Sequence, residues 1–357
     1  MLHSVFRILL WFGLALATPC AFAAAPQGGS MQLLDDFHDL SPWRADASNG
    51  VEATLRAVPG SQGQALCLDF DFGAVSGYAV ARRELPLDFP QNFEFVFGLR
   101  GDAPSNALQF KLVDASGENV WWVNRPNFAF PHEWQRMRFK RRHVEFAWGP
   151  AADRELRHTA TLELVVARGQ GGGKGSVCFE QLAFRELPTA SSTPPTPVLR
   201  ATSSLAPTTP ALALDGSRDT AWRSDPAAGS EQILTVDFRE PRELGGLVVR
   251  WLPDLHASRY DIEFSDDGTQ WRTVRRVANG SGGTDPHLLT ESQTRYLRLR
   301  LLDGPAKAYG LAELDVKDLA FGASPNAFFA ALAKDAPRGH YPRGFAGEQS
   351  YWTVVGI

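Results

Sequence analysis

Ala213-Leu214-Asp215-Gly216-Ser217-Arg218-Asp219-Thr220-Ala221-Trp222-Arg223-Ser224 opens the stretch around which the chain is organised, and Tyr309-Gly310-Leu311-Ala312-Glu313-Leu314-Asp315-Val316 closes it. Between these ends, Thr235-Val236-Asp237-Phe238 and Arg295-Tyr296-Leu297-Arg298-Leu299 alternate apolar with polar residues, as half-buried strands do. A third strand, Tyr260-Asp261-Ile262-Glu263-Phe264, runs into the polar turn Ser265-Asp266-Asp267-Gly268, with Trp271 three residues beyond. The order of these turns and strands is the most specific signal in the chain.

At 357 residues the chain suits two domains, each large enough to bury a core. Phe (23) and Trp (10) greatly outnumber Met (3), and 32 Gly and 24 Pro are spread throughout. This is the usage of a turn-rich all-β protein. The net charge of −4 provides no basic field for a polyanion, so nucleic acid is not expected as a partner.

His3 and Arg7 precede an apolar run from Ile8 to Ala17, and Ala21-Phe22-Ala23 is a small-x-small site before Ala24. Residues 1–23 therefore read as a signal peptide, since the run is too short for a permanent membrane span. Pro19 disfavours lipobox cleavage at Cys20, so release rather than acylation is expected. The mature chain is then secreted or periplasmic, with no transmembrane segment. Its remaining cysteines, Cys67 and Cys178, are even in number in an oxidising compartment. They form either a disulfide or two buried apolar thiols.

Period-two alternation places strands at Ala65 to Phe72, Phe93 to Leu99, Leu108 to Val113, Val120 to Val123, Gln135 to Lys140, Leu162 to Ala167 and Val177 to Phe184. No helical period lasts beyond about ten residues, so residues 31–187 read as a jelly-roll β-sandwich. Residues 188–197, rich in Pro, Ser and Thr, form a semi-extended linker. A second β domain covers 198–321. In the extension 322–357, Asn326 to Ala333 suits a short helix, and the apolar end at Ile357 reads as the start of a further domain or as a tail packing on the second one.

Asp215-Gly216 with Thr220 can wrap a hard cation, carboxylate, hydroxyl and turn carbonyls supplying oxygens, and Glu313 can close the shell. The alternative is an ordinary Asp-Gly turn, because EF-hand spacing is absent. Taken together, Asp215-Gly216 with Thr220 and Trp222, the Ser265-x-Asp267-Gly268 turn with Trp271, Arg295 to Leu299, and Gly310 to Glu313 resemble the coagulation-factor 5/8 type C, or discoidin, domain. They are also similar to the family 32 carbohydrate-binding modules. The resemblance covers about 120 residues. It implies an eight-stranded antiparallel jelly roll with loops clustered at one end, and a structural Ca2+ held by Asp215, Thr220 and Glu313. It further implies that Trp222 and Trp271 are core residues.

A sugar site needs an aromatic face with a few charged or amide groups around it. In the second domain the loop candidates are Trp251, Asp254, His256 and Arg259, with Arg223, Lys307 and Tyr309; for each the competing reading is a solvated or packing side chain. Gly280 to Thr284 departs from the family in offering no aromatic platform. Residues 31–187 more faintly resemble the galactose-binding-like jelly rolls that accompany glycosidases, through Asp35-Asp36-Phe37, Trp121-Trp122 and Phe130-Pro131 with Trp134. Adjacent Trp121 and Trp122 point to opposite faces of their strand. One is expected in the core and the other on a face with Tyr78, Asn124 and Arg125.

No Gly-x-Ser-x-Gly elbow, His-Glu-x-x-His pair or phosphate loop occurs, and Gly169 to Gly175 lacks the Walker spacing. The expectation is thus a non-catalytic protein binding polysaccharide or glycoconjugate, or the targeting region of a larger glycan-degrading enzyme. A protein-interaction scaffold of the cell envelope is the alternative, as is a glycosidase completed beyond Ile357. On the latter reading His340 to Trp352, including Glu348, leads into a catalytic region.

Overall fold

The computed structural model describes residues 29–189 and 193–335. The expected signal peptide, the middle of the expected linker and the tail from residue 336 lie outside these. The chain divides into two compact units, Met1–Ser191 and Ser192–Ile357. Both are built from antiparallel β-sheet, as the residue usage requires.

The first unit has, in chain order, β1 (Gln32–Asp35), β2 (Trp43–Ala47), β3 (Glu52–Pro59), β4 (Gln64–Asp71), β5 (Tyr78–Asp88) and β6 (Phe93–Asp102). There follow β7 (Asn106–Val113), β8 (Val120–Phe128), β9 (Gln135–Lys140), β10 (Glu145–Trp148), β11 (His158–Ala167) and β12 (Lys174–Glu186). One sheet runs β3-β4-β12-β6-β9 with β1 also on β12, and the other runs β10-β8-β7-β11-β5-β2. The inward positions of both sheets close on a phenylalanine-rich core. Phe97 meets Phe110 and Phe139 there, at ring separations of 6.0 and 5.2 Å. Such pairs add about 0.5–1.5 kcal/mol each beyond the area they bury.

Cys67 and Cys178 are direct partners in the β4/β12 register and are joined as a disulfide. Asp35 closes the entry of the chain. It accepts from Phe37 N (2.7 Å) and Trp43 Nε1 (2.7 Å) and pairs with Arg83, which holds Phe37 at φ 58°. β1, β2, β3, β5 and β10 are strands that alternation does not reveal. Arg82-Arg83-Glu84 places charge on both faces of β5, and β1 and β10 are only four residues long.

The second unit contains β13 (Val198–Ala201), β14 (Trp222–Arg223), β15 (Gln232–Trp251), β16 (Arg259–Ser265), β17 (Arg272–Val277), β18 (Thr284–Asp303) and β19 (Gly310–Lys317). Its sheet runs β14-β19-β15-β18-β16-β17, with β13 on β15. Among the described residues seven strands stand where eight were implied, and two of them, β15 and β18, each run for 20 residues. Their register shifts at Asp237/Arg242 and Leu244/Gly246, so each serves as two shorter strands.

Trp222 is fully buried, its Nε1 donating to Ser203 O (3.1 Å) and Ser204 Oγ (3.0 Å). Trp271, expected in the core, is only half-buried. It lies under the Arg298 guanidinium at 4.1 Å, a cation–π contact that suits a ring at the surface. A helix, α1 (Pro325–Asp335), is capped by Ser324 Oγ on Ala327 N (3.0 Å) and packs Phe328 and Leu332 against Val248 and Phe321. Among the described residues no helix is long and apolar enough to cross a membrane.

Candidate functional site

The outer face of the β10-β8-β7-β11-β5-β2 sheet gathers side chains that alternation pushes away from the core. On β7, Leu108, Phe110 and Leu112 face inward, so Gln109 and Lys111 face out; on β8, Trp121 is in the core and Trp122 faces out. Cross-strand register then sets Trp122, Lys111, Glu163 and Arg82 in one row, and Asn124, Gln109, Val165 and Val80 in the next. Val80 and Val165 form an apolar floor.

Over this floor stand three aromatic rings. Trp122 meets Trp148 edge to face, with centroids 5.5 Å apart and planes at 87°. Lys111 Nζ lies 5.3 Å from the Trp148 centroid and 5.4 Å from that of Tyr78. Trp148 and Tyr78 remain 47% and 42% exposed. Asn124 accepts from Gln109 Nε2 (3.4 Å), and Glu163 is held by Arg82 Nε (2.8 Å). Burial pushes the Lys111 pKa down, Glu163 opposes this, and Arg82 adds to it.

Of the residues expected here, the structure thus unites Tyr78, Trp122 and Asn124. Arg125 does not join them: it pairs with the core residue Leu108 and so shares the inner side of the sheet. Lys111, Trp148, Gln109 and Glu163 were not expected. The alternation of Leu108 to Leu112 marked Lys111 as outward-facing, but Trp148 arrives only through the β10/β8 pairing.

A groove of about 440 Å³ lies on the opposite sheet, lined by Met31, Leu33, Trp134 and Glu180. The Glu180 carboxylate is committed there to Ser61 N (2.6 Å), Ser61 Oγ (2.5 Å) and Gln62 N (3.4 Å), so it anchors a turn.

In the second unit, backbone bonds tie the candidate loops together at one end: Gly310 N to Leu255 O (2.7 Å), Ser258 N to Asp303 O (2.8 Å) and Ser224 N to Tyr309 O (2.9 Å). Asp254 and Lys307 are exposed on these loops, and Arg223 and Arg259 are exposed at the strand ends beside them. His256 is half-buried against Gly282, where a Cβ would come within 2.7 Å of Nδ1. Trp251 and Tyr309 are corrections, being 4% and 1% exposed. Each is buried because its polar atom finds a distant acceptor: Trp251 Nε1 donates to Asp285 Oδ2 (2.8 Å), and Tyr309 OH to Ser230 O (2.6 Å). Neither offers a ring face to a ligand.

The structure also assembles Asp215, Thr220 and Glu313. Thr220 Oγ1 donates to Asp215 Oδ2 (2.7 Å), and the backbone N–H of Gly216 donates to Glu313. Glu313 is 5% exposed, and its Oε2 has no partner. Burial first, then Asp315 and Asp215, push its pKa up to about 7. Among the described residues no three His, Cys, Asp or Glu group as a metal site. The set is two carboxylates, a hydroxyl and turn carbonyls, and its orphaned buried oxygen fits a hard cation.

Residues 189–314 match the F5/8 type C domain. The discoidin assignment thus falls on the second unit, where the ordered turns and strands lie. No curated protein matches the sequence. Among solved structures, the chain is similar to the family 11 carbohydrate-binding module of cellulase Lic26A-Cel5E of Clostridium thermocellum, at 14% identity and TM-score 0.38, over 45% of this chain and 97% of that one. It is also similar to chitosan-binding module 1 of a Paenibacillus sp. IK-5 chitosanase/glucanase, at 28% identity and TM-score 0.31, over 33% and 92%. A third is CpGH89CBM32-5 of Clostridium perfringens in complex with GalNAc-β-1,3-galactose, at 20% identity and TM-score 0.32, over 34% and 94%.

Proposed function

We propose that this chain is a secreted, non-catalytic glycan-binding protein, or the N-terminal targeting region of a larger glycan-degrading enzyme. Its principal site is then the outer sheet face of the first unit. The observation that carries this reading is the aromatic corner formed by half-buried Trp122 and the exposed rings of Tyr78 and Trp148, beside Asn124 and Gln109. An aromatic ring receives the C–H face of a pyranose, and amide and charged groups at its edge exchange hydrogen bonds with the hydroxyls. The leader at 1–23 supports export.

Affinity electrophoresis of the mature chain through plant, algal and bacterial polysaccharides is the direct test. At least one should retard it, and Trp148→Ala should weaken that retardation by at least about tenfold, as loss of an exposed aromatic anchor does. Mobility unchanged in every gel would overturn the proposal. An equal loss in an Arg223→Ala, His256→Ala, Lys307→Ala triple variant, with Trp148→Ala silent, would move the site to the discoidin loops.

We further propose that Asp215, Thr220 and Glu313 hold a structural Ca2+ that rigidifies the loop from Asp215 to Thr220. Support comes from the unpartnered Glu313 Oε2 and from the Asp215 carboxylate close enough to raise the Glu313 pKa. A ligand bound only to the folded state stabilises it by about 2.7 kcal/mol at a hundred times Kd. A chelator should therefore lower the melting midpoint of the second unit, and Glu313→Gln should remove the difference. Identical midpoints with calcium and with chelator would rule the site out.

A further inference from the structure

We propose that the sheet face of the first unit takes an anionic glycan, a chain containing uronic acid, with the Lys111 ammonium receiving the sugar carboxylate. The inference rests on the glycan-binding reading of that face and adds the class of sugar. Lys111 is 92% buried, as its 8% exposure states, yet no acceptor among the described residues takes a hydrogen bond from it. Its neighbour in register, Glu163, is already committed to Arg82. Arg82 is also 3.6 Å from Asp46, and the row continues to Glu145 at one end and Arg44 at the other, so among the described residues Lys111 is a cation of this face without an ion pair of its own.

An ammonium has three donors and no acceptor of its own. Two ring faces at 5.3 and 5.4 Å offset part of its lost hydration but accept no conventional hydrogen bond. Its lowered pKa shows that the surrounding protein does not fully compensate the charge. The missing component is an anionic acceptor that arrives with an apolar ring face. A uronate has both: stacked on Trp148 or Tyr78, it carries a carboxylate at the rim of the pyranose, within reach of a cation lying between the two rings. A neutral hexose presents only a hydroxymethyl group there, and a charge-assisted bond is roughly twice as strong as a neutral one.

The test uses the mature chain in affinity gels with polygalacturonate and alginate, the carboxyl-reduced form of the same polygalacturonate, neutral mixed-linkage glucan, and dextran sulfate. Wild type should bind polygalacturonate or alginate about ten- to a hundredfold more tightly than the reduced and neutral polymers. Lys111→Met should erase that preference while keeping the weaker neutral binding. Equal retention by the native and carboxyl-reduced polymers would overturn the uronate assignment and leave glycan binding intact. Retention by no polysaccharide would overturn both. Dextran sulfate held as tightly as polyuronate would replace the assignment with unselective charge attraction. Should Lys111→Met misfold, the comparison of native with reduced polymer on wild type decides alone.

Discussion

Removing the Cys67–Cys178 bridge is expected to destabilise the first unit by about 2–4 kcal/mol. The bridge spans 111 residues of sequence, so it withdraws a large loop-closure entropy from the unfolded chain. It joins neighbouring strands, β4 and β12, whose pairing closes the sheet between the beginning and the end of the unit. Both positions are buried, at 0% and 4% exposure, so replacement by Ser adds the cost of a buried hydroxyl and replacement by Ala is the cleaner variant. Urea unfolding of Cys67→Ala/Cys178→Ala, followed by hydrogen exchange resolved by peptide, separates the units. Peptides from β4, β6 and β12 should lose protection, whereas those from β15 and β18 should not. A double variant with wild-type protection would show that sheet pairing alone sets the stability.

The residues legible in the sequence are those whose role is local. Alternation along Leu108 to Leu112 sorted inward from outward side chains, and adjacency put Trp121 and Trp122 on opposite faces; the pairing of Trp121 with Leu112 then sets Trp121 in the core and Trp122 outside. The turns at Asp215-Gly216 and Ser265 to Gly268 are built by neighbours: Asp267 Oδ1 accepts from Thr269 N (2.7 Å) and Gln270 N (2.8 Å), which holds its pKa well below the usual range. What escaped depends on partners far along the chain. Trp251 and Tyr309 read as loop aromatics, but acceptors 34 and 79 residues away draw them inside. Lys111 becomes exceptional only when pairing brings Trp148 and Tyr78 to either side of it. The disulfide stayed an even choice until register set Cys67 opposite Cys178, since alternation places each cysteine on a strand without saying which strands are neighbours.

A buried network in the second unit leads to the other large effect: His287→Gln is expected to abolish an acid-driven loss of about 3 kcal/mol between pH 7 and pH 4. Trp251 Nε1 (2.8 Å) and the Tyr260 hydroxyl (2.9 Å) both reach Asp285 Oδ2, and Tyr260 is 2.7 Å from His287 Nε2. Tyr260 has one proton. If it donates to Asp285, then His287 must donate from Nε2 as a neutral imidazole. Burial first, and Arg275 second, push the His287 pKa down to about 3. An unfolded histidine takes a proton near pH 6.5, whereas the folded one stays neutral until far lower pH. The unfolded state therefore binds more protons in this window, so the stabilisation is complete above about pH 6.5 and is lost as the pH falls toward 3, at roughly 1–2 kcal/mol per pH unit. Two carboxyls act in the opposite sense. Asp285, raised by burial, and Glu313, raised to about 7 when no cation is bound, keep their protons where unfolded carboxyls have lost them, and in a calcium-free sample each adds stability toward acid. Both are common to wild type and variant, so the difference between the two pH profiles isolates the histidine. A Gln amide can donate to Tyr260 without titrating, and its profile should lie flatter by one proton. Parallel profiles from pH 7 to pH 4 would mean that His287 does not control the acid stability of this unit.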